Sequence, residues 1–105
     1  MVSAEILWKI TERLLREFHP HQIILFGSQA RGTADARSDV DILVVCPIEK
    51  NRRTLMVAMD RALKGLGIAR DIVILSPEEF ERDRHIPGTI ARPVFLEGKI
   101  LYEQH

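Results

Sequence analysis

Apolar side chains recur at steps of three and four residues through the first part of the chain, at Leu7, Ile10, Leu14 and Phe18. Charged residues fill the positions between them, which is the pattern of an amphipathic helix with one buried face. We predict a helix over residues 4–18, with Ser3 as its N-terminal cap. It should end at His19, because the residue before a proline is pushed out of the helical region.

Three apolar runs are too short for helices and rich in β-branched residues, and they predict buried strands over residues 22–26, 40–46 and 68–75. A helical stripe over residues 51–64 lies between the second and third strands, with Gly65 as its expected C-terminal cap. Ser76 to Glu79 matches a capping box that begins another helix. Residues 87–97 have helical spacing, but Pro93 should kink or restart that helix.

The final residues, 99–102, are expected to form an edge strand or an extended tail. Strands that alternate with helices predict an α/β domain with one central sheet. The length of 105 residues fits one compact domain over the whole chain.

Composition excludes several functional classes. Fifteen Lys and Arg residues balance fifteen Asp and Glu residues, so no global field should draw the protein nonspecifically onto nucleic acid. The apolar runs are far shorter than the roughly 18 residues of a membrane span, and the first residues lack a signal-peptide pattern. We therefore expect a soluble cytoplasmic protein. The single cysteine, Cys46, is expected to be a buried apolar residue, and one cysteine excludes a disulfide within the chain.

Candidate chemistry begins where the first strand ends, at Gly27 and Ser28. A glycine there permits a sharp turn and lets a phosphate approach the backbone, while the following residues can begin a helix with free N–H groups. Ser28 adds a hydroxyl donor, and Arg31 would return towards the same end after one turn. By themselves these residues are more typical of a serine-capped turn between a strand and a helix.

Two aspartates at the start of the second strand change that interpretation. Asp39 and Asp41 are two residues apart, so in a strand they project from one face with Cα atoms about 6.5 Å apart. Aspartate is depleted in strands, and burying two like charges together without a cation is costly. Mg²⁺ prefers oxygen ligands and commonly takes one or two carboxylates with phosphate and water. The pair therefore predicts a site for one or two Mg²⁺ ions.

A third carboxylate interrupts the third apolar strand. Asp71 alternates with Ala69, Val73 and Leu75, so its side chain shares a face that is otherwise small or apolar. A salt bridge to a nearby arginine would explain Asp71 alone equally well, since buried carboxylates are normally paired. Three such aspartates together with a glycine-serine turn are better explained by one site.

The motif GSxARG followed by SDxD resembles the signature of the nucleotidyltransferase superfamily with the polymerase-β-like fold. The resemblance is strongest to its minimal nucleotidyltransferase (MNT) branch and extends over nearly the whole chain. The matching residues are Gly27, Ser28, Ala30, Arg31, Gly32, Ser38, Asp39 and Asp41, with Asp71 at the position of the third carboxylate. The resemblance implies a small central mixed sheet flanked by helices.

The resemblance also implies a reaction. Asp39, Asp41 and Asp71 would be catalytic and would bind metal, with two Mg²⁺ ions clamping an in-line displacement. Nucleotide binding would fall to four residues of the motif, Gly27, Ser28, Arg31 and Ser38. ATP or another nucleoside triphosphate would be the donor, and Asp71 would help to deprotonate an acceptor hydroxyl. Arg31 would neutralise phosphate charge or brace the loop against an acidic neighbour.

The acceptor is expected to lie outside this sequence. MNT proteins of this type commonly pair with a HEPN-domain protein, as antitoxin to a ribonuclease toxin, and transfer AMP to a hydroxyl on it. Two alternatives stay open, namely a catalytically silent antitoxin that occludes its partner and a transferase acting on a small molecule such as an aminoglycoside. The sequence leaves the oligomeric state open.

Overall fold

The fold is that of a computed structural model, which describes residues 1–35 and 38–104. Within these residues the elements follow one another as α1 (Ala4–Phe18), β1 (Gln22–Phe26), α2 (Ser28–Arg31), β2 (Val40–Val45), α3 (Arg52–Ala62), β3 (Arg70–Leu75), α4 (Pro77–Asp83), α5 (Ala91–Glu97) and β4 (Lys99–Glu103). The predicted alternation of helices and strands is confirmed.

The four strands form one mixed sheet in the order β3-β2-β1-β4. β1 pairs antiparallel with both β2 and β4, whereas β2 and β3 run parallel. The crossover between the parallel strands contains α3, as such a connection requires. The final segment is therefore an edge strand, and the expected small mixed sheet flanked by helices is confirmed.

Apolar side chains on both faces of the sheet hold the helices in place. On one face α1 and α3 bury Ile10, Leu14, Met59 and Leu63, all of them fully inaccessible. On the other face the shorter α4 and α5 contribute Phe80, Ala91 and Val94. Each large side chain buried in this way contributes about 1.5–3 kcal/mol. The sheet is thus a rigid platform covered on both sides.

Side-chain caps fix where several helices begin. Ser3 accepts a hydrogen bond from the Ile6 amide and starts α1, as predicted. The predicted capping box at α4 is present in full, with Ser76 and Glu79 each accepting from the other's backbone amide. α1 ends before His19, but that residue adopts a left-handed conformation with φ 48° rather than an extended one.

Three predicted boundaries differ from the structure by two residues or more. α3 ends at Ala62 with Leu63 as its C-cap, so Gly65 is not the cap and instead lies in the turn beyond it. β3 begins at Arg70 rather than at residue 68. The last helix begins only at Ala91, which leaves Pro93 in its first turn. Proline is tolerated there because a first-turn N–H has no partner within the helix.

Two expectations from composition concern the burial of Cys46 and the presence of membrane-spanning helices. Cys46 is buried at the end of β2, at 2% exposure, as expected for a small apolar residue. Within residues 1–35 and 38–104, none of the helices has the length and apolar character needed to cross a membrane.

The pairing of Glu79 with Arg52 predicts a pH-dependent contribution to stability. Hydrogen bonds from Arg52 at 2.8 and 2.9 Å lower the pKa of Glu79 from 4.5 to about 2. Because the folded-state pKa is depressed, the stabilisation is complete above about pH 4.5 and is lost as the pH falls towards 2. We expect Glu79→Gln to lower the free energy of unfolding by about 1 kcal/mol at pH 7.

Denaturant unfolding at several pH values measures this effect. The wild-type and Glu79→Gln values should converge as the pH falls towards the acidic end of the range. Glu78→Gln, at an exposed position in the same turn, is the matched control and should change stability by less than about 0.5 kcal/mol. A Glu79→Gln variant as stable as the wild type at pH 7 would contradict the assignment.

Candidate active site

The parallel pairing of β2 and β3 brings two of the predicted carboxylates together. Asp41 and Asp71 are directly opposite each other in the register. Directly opposed residues on neighbouring strands project from the same face of the sheet. Asp39 comes two residues before Asp41, just ahead of β2, so all three candidate metal ligands lie at the same end of the sheet.

These aspartates occupy the polar end of an otherwise apolar face. Farther along the same strands, at alternate positions, Leu43, Val45 and Leu75 pack under α4 and α5. Asp41 is half-buried, whereas Asp39 and Asp71 are exposed. The helices therefore cover the apolar part of the face and leave its acidic end accessible to a ligand.

The electrostatics of Asp41 reflect this crowding. Its pKa is raised above the usual 3.8, first by burial and then by the negative charges of Asp71 and Asp39, while Arg31 lowers it. Each neighbouring carboxylate makes the ionised form of Asp41 less favourable. A bound cation would instead favour the ionised form of Asp41 and lower its pKa. The cluster of carboxylates is therefore a favourable place for a positive charge.

Gly27 lies directly against the Asp41 carboxylate. It ends β1 and begins α2, with φ 72° and ψ −154°, a conformation that is almost restricted to glycine. A Cβ atom at this position would overlap the Oδ2 atom of Asp41. Glycine is therefore required for two independent reasons, the backbone conformation and the space taken by the carboxylate.

The predicted turn continues into the single-turn helix α2. The amides of Ala30 and Arg31 both donate to the Gly27 carbonyl at 3.1 Å, and Gly32 closes the turn in a left-handed conformation. The Ser28 side chain is half-buried and, within the described part of the chain, makes no hydrogen bond. Its hydroxyl lies in the turn that approaches Asp41 and is available to a ligand.

Arg31 faces an acidic neighbour in α5. Its Nη1 atom lies 3.9 Å from the Oε2 atom of Glu97, and both side chains are about half exposed. A pair of this length and exposure contributes little to stability. Arg31 thus makes a weak contact with α5 and also lowers the pKa of Asp41. Its position is compatible with both predicted roles, neutralising phosphate charge and bracing the loop against an acidic neighbour.

Ser38 lies in the loop that leads to Asp39. Its hydroxyl donates to Asp35 Oδ1 at 3.3 Å and accepts from the Asp35 amide at 3.0 Å. In this arrangement the hydroxyl holds Ser38 and Asp35 together within the loop. The predicted contact of Ser38 with a nucleotide remains a prediction.

Gln29 is a residue that the sequence interpretation missed. It is buried at 3% exposure, accepts from the Val2 amide at 2.9 Å, and donates to the Ser38 carbonyl at 3.2 Å. It therefore ties the start of the chain to the loop that carries Asp39. Glutamine between Ser28 and Ala30 has no sequence signal for burial, because glutamine is normally exposed.

The described carboxylates do not form a complete metal cage. Among residues 1–35 and 38–104, no three His, Cys, Asp or Glu side chains are gathered closely enough to hold a metal ion. The assignment of Asp39, Asp41 and Asp71 as metal ligands therefore remains a prediction. The cavity of about 330 Å³ beside Phe18, Cys46 and Leu55 lies at the opposite end of β2 and contains none of the three aspartates.

Comparisons with known proteins agree with this geometry. The family model for the nucleotidyltransferase domain matches residues 6–104. Putative protein adenylyltransferase MJ0604 of Methanocaldococcus jannaschii is 33% identical over 81 residues, which cover 77% of each protein.

Solved structures share the fold. A crystal structure of a toxin-antitoxin with AMP-PNP matches with a TM-score of 0.70 and 24% identity, over 94% of this chain and 74% of that one. A mutant of the toxin-antitoxin MntA-HpeT matches with a TM-score of 0.66 at the same identity and coverage. At this level of identity the likeness shows the fold, and the fold expected from the resemblance is confirmed.

Neutralising Asp41 should stabilise the metal-free protein. The raised folded-state pKa means that the wild type loses stability as the pH rises above about 3.8, and an asparagine does not ionise. We expect Asp41→Asn to raise Tm by a few degrees at pH 7 in EDTA. Mg²⁺ should then stabilise the wild type more than the variant.

Asp60→Asn is the matched control, because Asp60 forms an ion pair with Arg70 at 3.1 Å and its loss should lower Tm. Differential scanning calorimetry with EDTA and with Mg²⁺ measures both variants. If Asp41→Asn cost several kcal/mol in EDTA, Asp41 would be a structural ion-pair partner instead.

Replacing Gly27 by alanine should displace Asp41. The new methyl group would both strain the backbone and overlap the carboxylate, so we expect a loss of about 3 kcal/mol or more in stability. Gly88→Ala is the control, because Gly88 also has a positive φ, of 92°, but open space around it. It should cost only about 1 kcal/mol. Equal losses in urea unfolding would show that the contact between Gly27 and Asp41 is unimportant.

Proposed function

This chain belongs to the nucleotidyltransferase domain family, and from that premise we propose that it transfers AMP from ATP to a hydroxyl group of a partner protein. The observation that carries the proposal is the pairing of Asp41 with Asp71 across β2 and β3, next to the turn at Gly27. This combination provides a place for a cation, a place for phosphates and a base in one small region.

The three aspartates fit Mg²⁺ as the metal. Asp39 and Asp41 would hold two ions and Asp71 would complete the site, as the raised pKa of Asp41 and the oxygen chemistry of the ligands support. When bound, Mg²⁺ would neutralise the charge on the phosphates and on the attacking and leaving oxygens. ATP would supply the remaining oxygen ligands.

The turn after β1 would bind the β- and γ-phosphates. Gly27 has no side chain to obstruct a phosphate, and the hydroxyl of Ser28 would donate a hydrogen bond to a phosphate oxygen. Arg31, about half exposed and only loosely held by Glu97, would add positive charge on the same side. Gln29 and Ser38 would act as positioning residues that keep Asp39 in place.

Asp71 would act as the base that accepts the proton of the acceptor hydroxyl. It is exposed and lies opposite Asp41, so a hydroxyl arriving from outside the sheet reaches Asp71 first. The hydroxyl proton would pass to Asp71 as the acceptor oxygen forms a bond to the α-phosphorus. The bond from the α-phosphorus to the bridging oxygen would break, and pyrophosphate would leave with its electron pair.

A protein acceptor accounts for the exposed acidic end of the sheet. A similar protein is named a putative protein adenylyltransferase, and a structure with the same fold is that of a toxin-antitoxin with AMP-PNP. We extend this to a HEPN-domain toxin as the acceptor, which the chain would neutralise by modification. Such a reaction needs ATP and would take place in the cytoplasm.

Incubation with α-³²P-ATP, Mg²⁺ and the HEPN-domain partner should label the partner. The Asp39→Asn/Asp41→Asn double variant should reduce labelling on the order of 100-fold or more, because it removes both proposed metal ligands. Asp83→Asn is the control, since Asp83 lies in α4 and pairs with Arg82. Unlabelled partner with every nucleotide tested would contradict the proposal. A double variant that still protects cells fully would indicate neutralisation by occlusion.

A further inference from the structure

The outer edge of β3 faces away from the rest of the sheet. β3 is the last strand in the order, and the carbonyls of Ala69 and Leu75 accept from the amides of Val40 and Cys46 on the β2 side. In a parallel pair, alternate residues of a strand bond to the neighbouring strand. The backbone groups of Asp71 and Val73 therefore bond to β2, whereas those of Ile72, which lies between them, point outwards.

Two arginines cover the ends of this edge. Arg52 donates to the Ile74 carbonyl at 2.6 Å and is held there by Glu79. Arg70 donates to the Ile68 carbonyl at 3.3 Å. Proteins commonly protect edge strands in this way, because exposed edges recruit other chains. The two carbonyls covered by these arginines, which we call the edge caps, lie before and after Asp71 in the sequence.

Between the two caps the edge is open. In the part of the chain that the structure describes, no strand pairs with this side of β3 and no side chain caps the Ile72 backbone. A cleft of about 250 Å³ follows this stretch, and it is lined by Met56, Val57, Asp60, Arg70, Asp71 and Ile72. Unpaired backbone, an apolar wall and a candidate catalytic carboxylate thus share one cleft.

We propose that this open stretch of β3 receives an extended segment of the acceptor protein as an added antiparallel strand, with a hydroxyl-bearing residue opposite Asp71. The inference rests on the proposed function and identifies how its protein substrate docks. Addition of a strand to an exposed edge is a general mode of peptide recognition, in which backbone hydrogen bonds supply the affinity.

The register follows from the direction of the backbone groups. The segment residue opposite Ile72 exchanges two hydrogen bonds with it, and the next residue forms a non-hydrogen-bonded pair with Asp71. Cα atoms in such pairs are only about 4.5 Å apart. Directly opposed side chains share a face, so the hydroxyl lies beside the Asp71 carboxylate, to which its proton passes.

The same register predicts the neighbouring residue of the substrate. The segment residue opposite Ile72 projects from the other face of the sheet, towards α3. There Met56 and Val57 are exposed at 40% and 47% and form the apolar wall of the cleft. An apolar residue should therefore immediately precede the hydroxyl-bearing residue in the acceptor.

Substitution in the wall of the cleft tests the docking. With the HEPN-domain partner as acceptor, Val57→Lys should lower kcat/KM for the partner at least about 10-fold, because a charge would face the apolar residue of the segment. The Kd for Mg²⁺ and a non-hydrolysable ATP analogue should stay within about twofold. Thr54→Lys is the matched control on the same helix, since Thr54 is exposed and outside this cleft, and it should leave both values unchanged.

Residue-resolved amide exchange provides the second measurement. In the free protein the Ile72 amide should exchange faster than those of Asp71 and Val73, and the partner should slow it at least about 10-fold. A wild type that fails to transfer AMP would refute the proposed function. A wild type that transfers AMP without protecting the Ile72 amide, or a fully active Val57→Lys, would overturn the edge-docking inference alone.

Discussion

The repulsion between Asp41 and Asp71 is the constraint around which the rest of the site is organised. The parallel register of β2 and β3 places the two residues opposite each other, and the apolar residues farther along both strands disfavour a shift by one residue. A shift by one residue would turn every side chain of a strand to the other face. The fold therefore holds two like charges together, and the pKa of Asp41 is raised first by burial and then by this repulsion.

The surrounding residues are adapted to this constraint. Gly27 leaves space for the Asp41 carboxylate, Arg31 partly offsets its charge, and buried Gln29 holds the loop that brings Asp39 beside it. None of these contacts satisfies the cluster as a salt bridge would. The large core on both faces of the sheet supplies the stability that permits an unfavourable electrostatic arrangement at its open end.

Much of the fold was predictable because its signals are local. The stripe from Leu7 to Phe18, the capping box at Ser76 and the short apolar runs each identify an element through their own periodicity or chemistry. The end of α3 was misplaced because Gly65 is a strong turn residue that lies beyond the true end at Ala62. The pairing of strands is not local, so the sequence placed Asp39, Asp41 and Asp71 on strands without establishing that Asp41 faces Asp71. Gln29 was missed because only tertiary contacts reveal its burial.

The central claim is that this acidic cluster binds metal together with a nucleotide. Crystals grown with Mn²⁺ in place of Mg²⁺ and a non-hydrolysable ATP analogue would test it most directly, because Mn²⁺ gives an anomalous signal and favours the same oxygen ligands. We expect an anomalous peak at coordination distance, roughly 2 Å, from carboxylate oxygens of both Asp39 and Asp41, with the phosphates next to Gly27 and Ser28. A bound nucleotide with no peak at these aspartates would contradict the account.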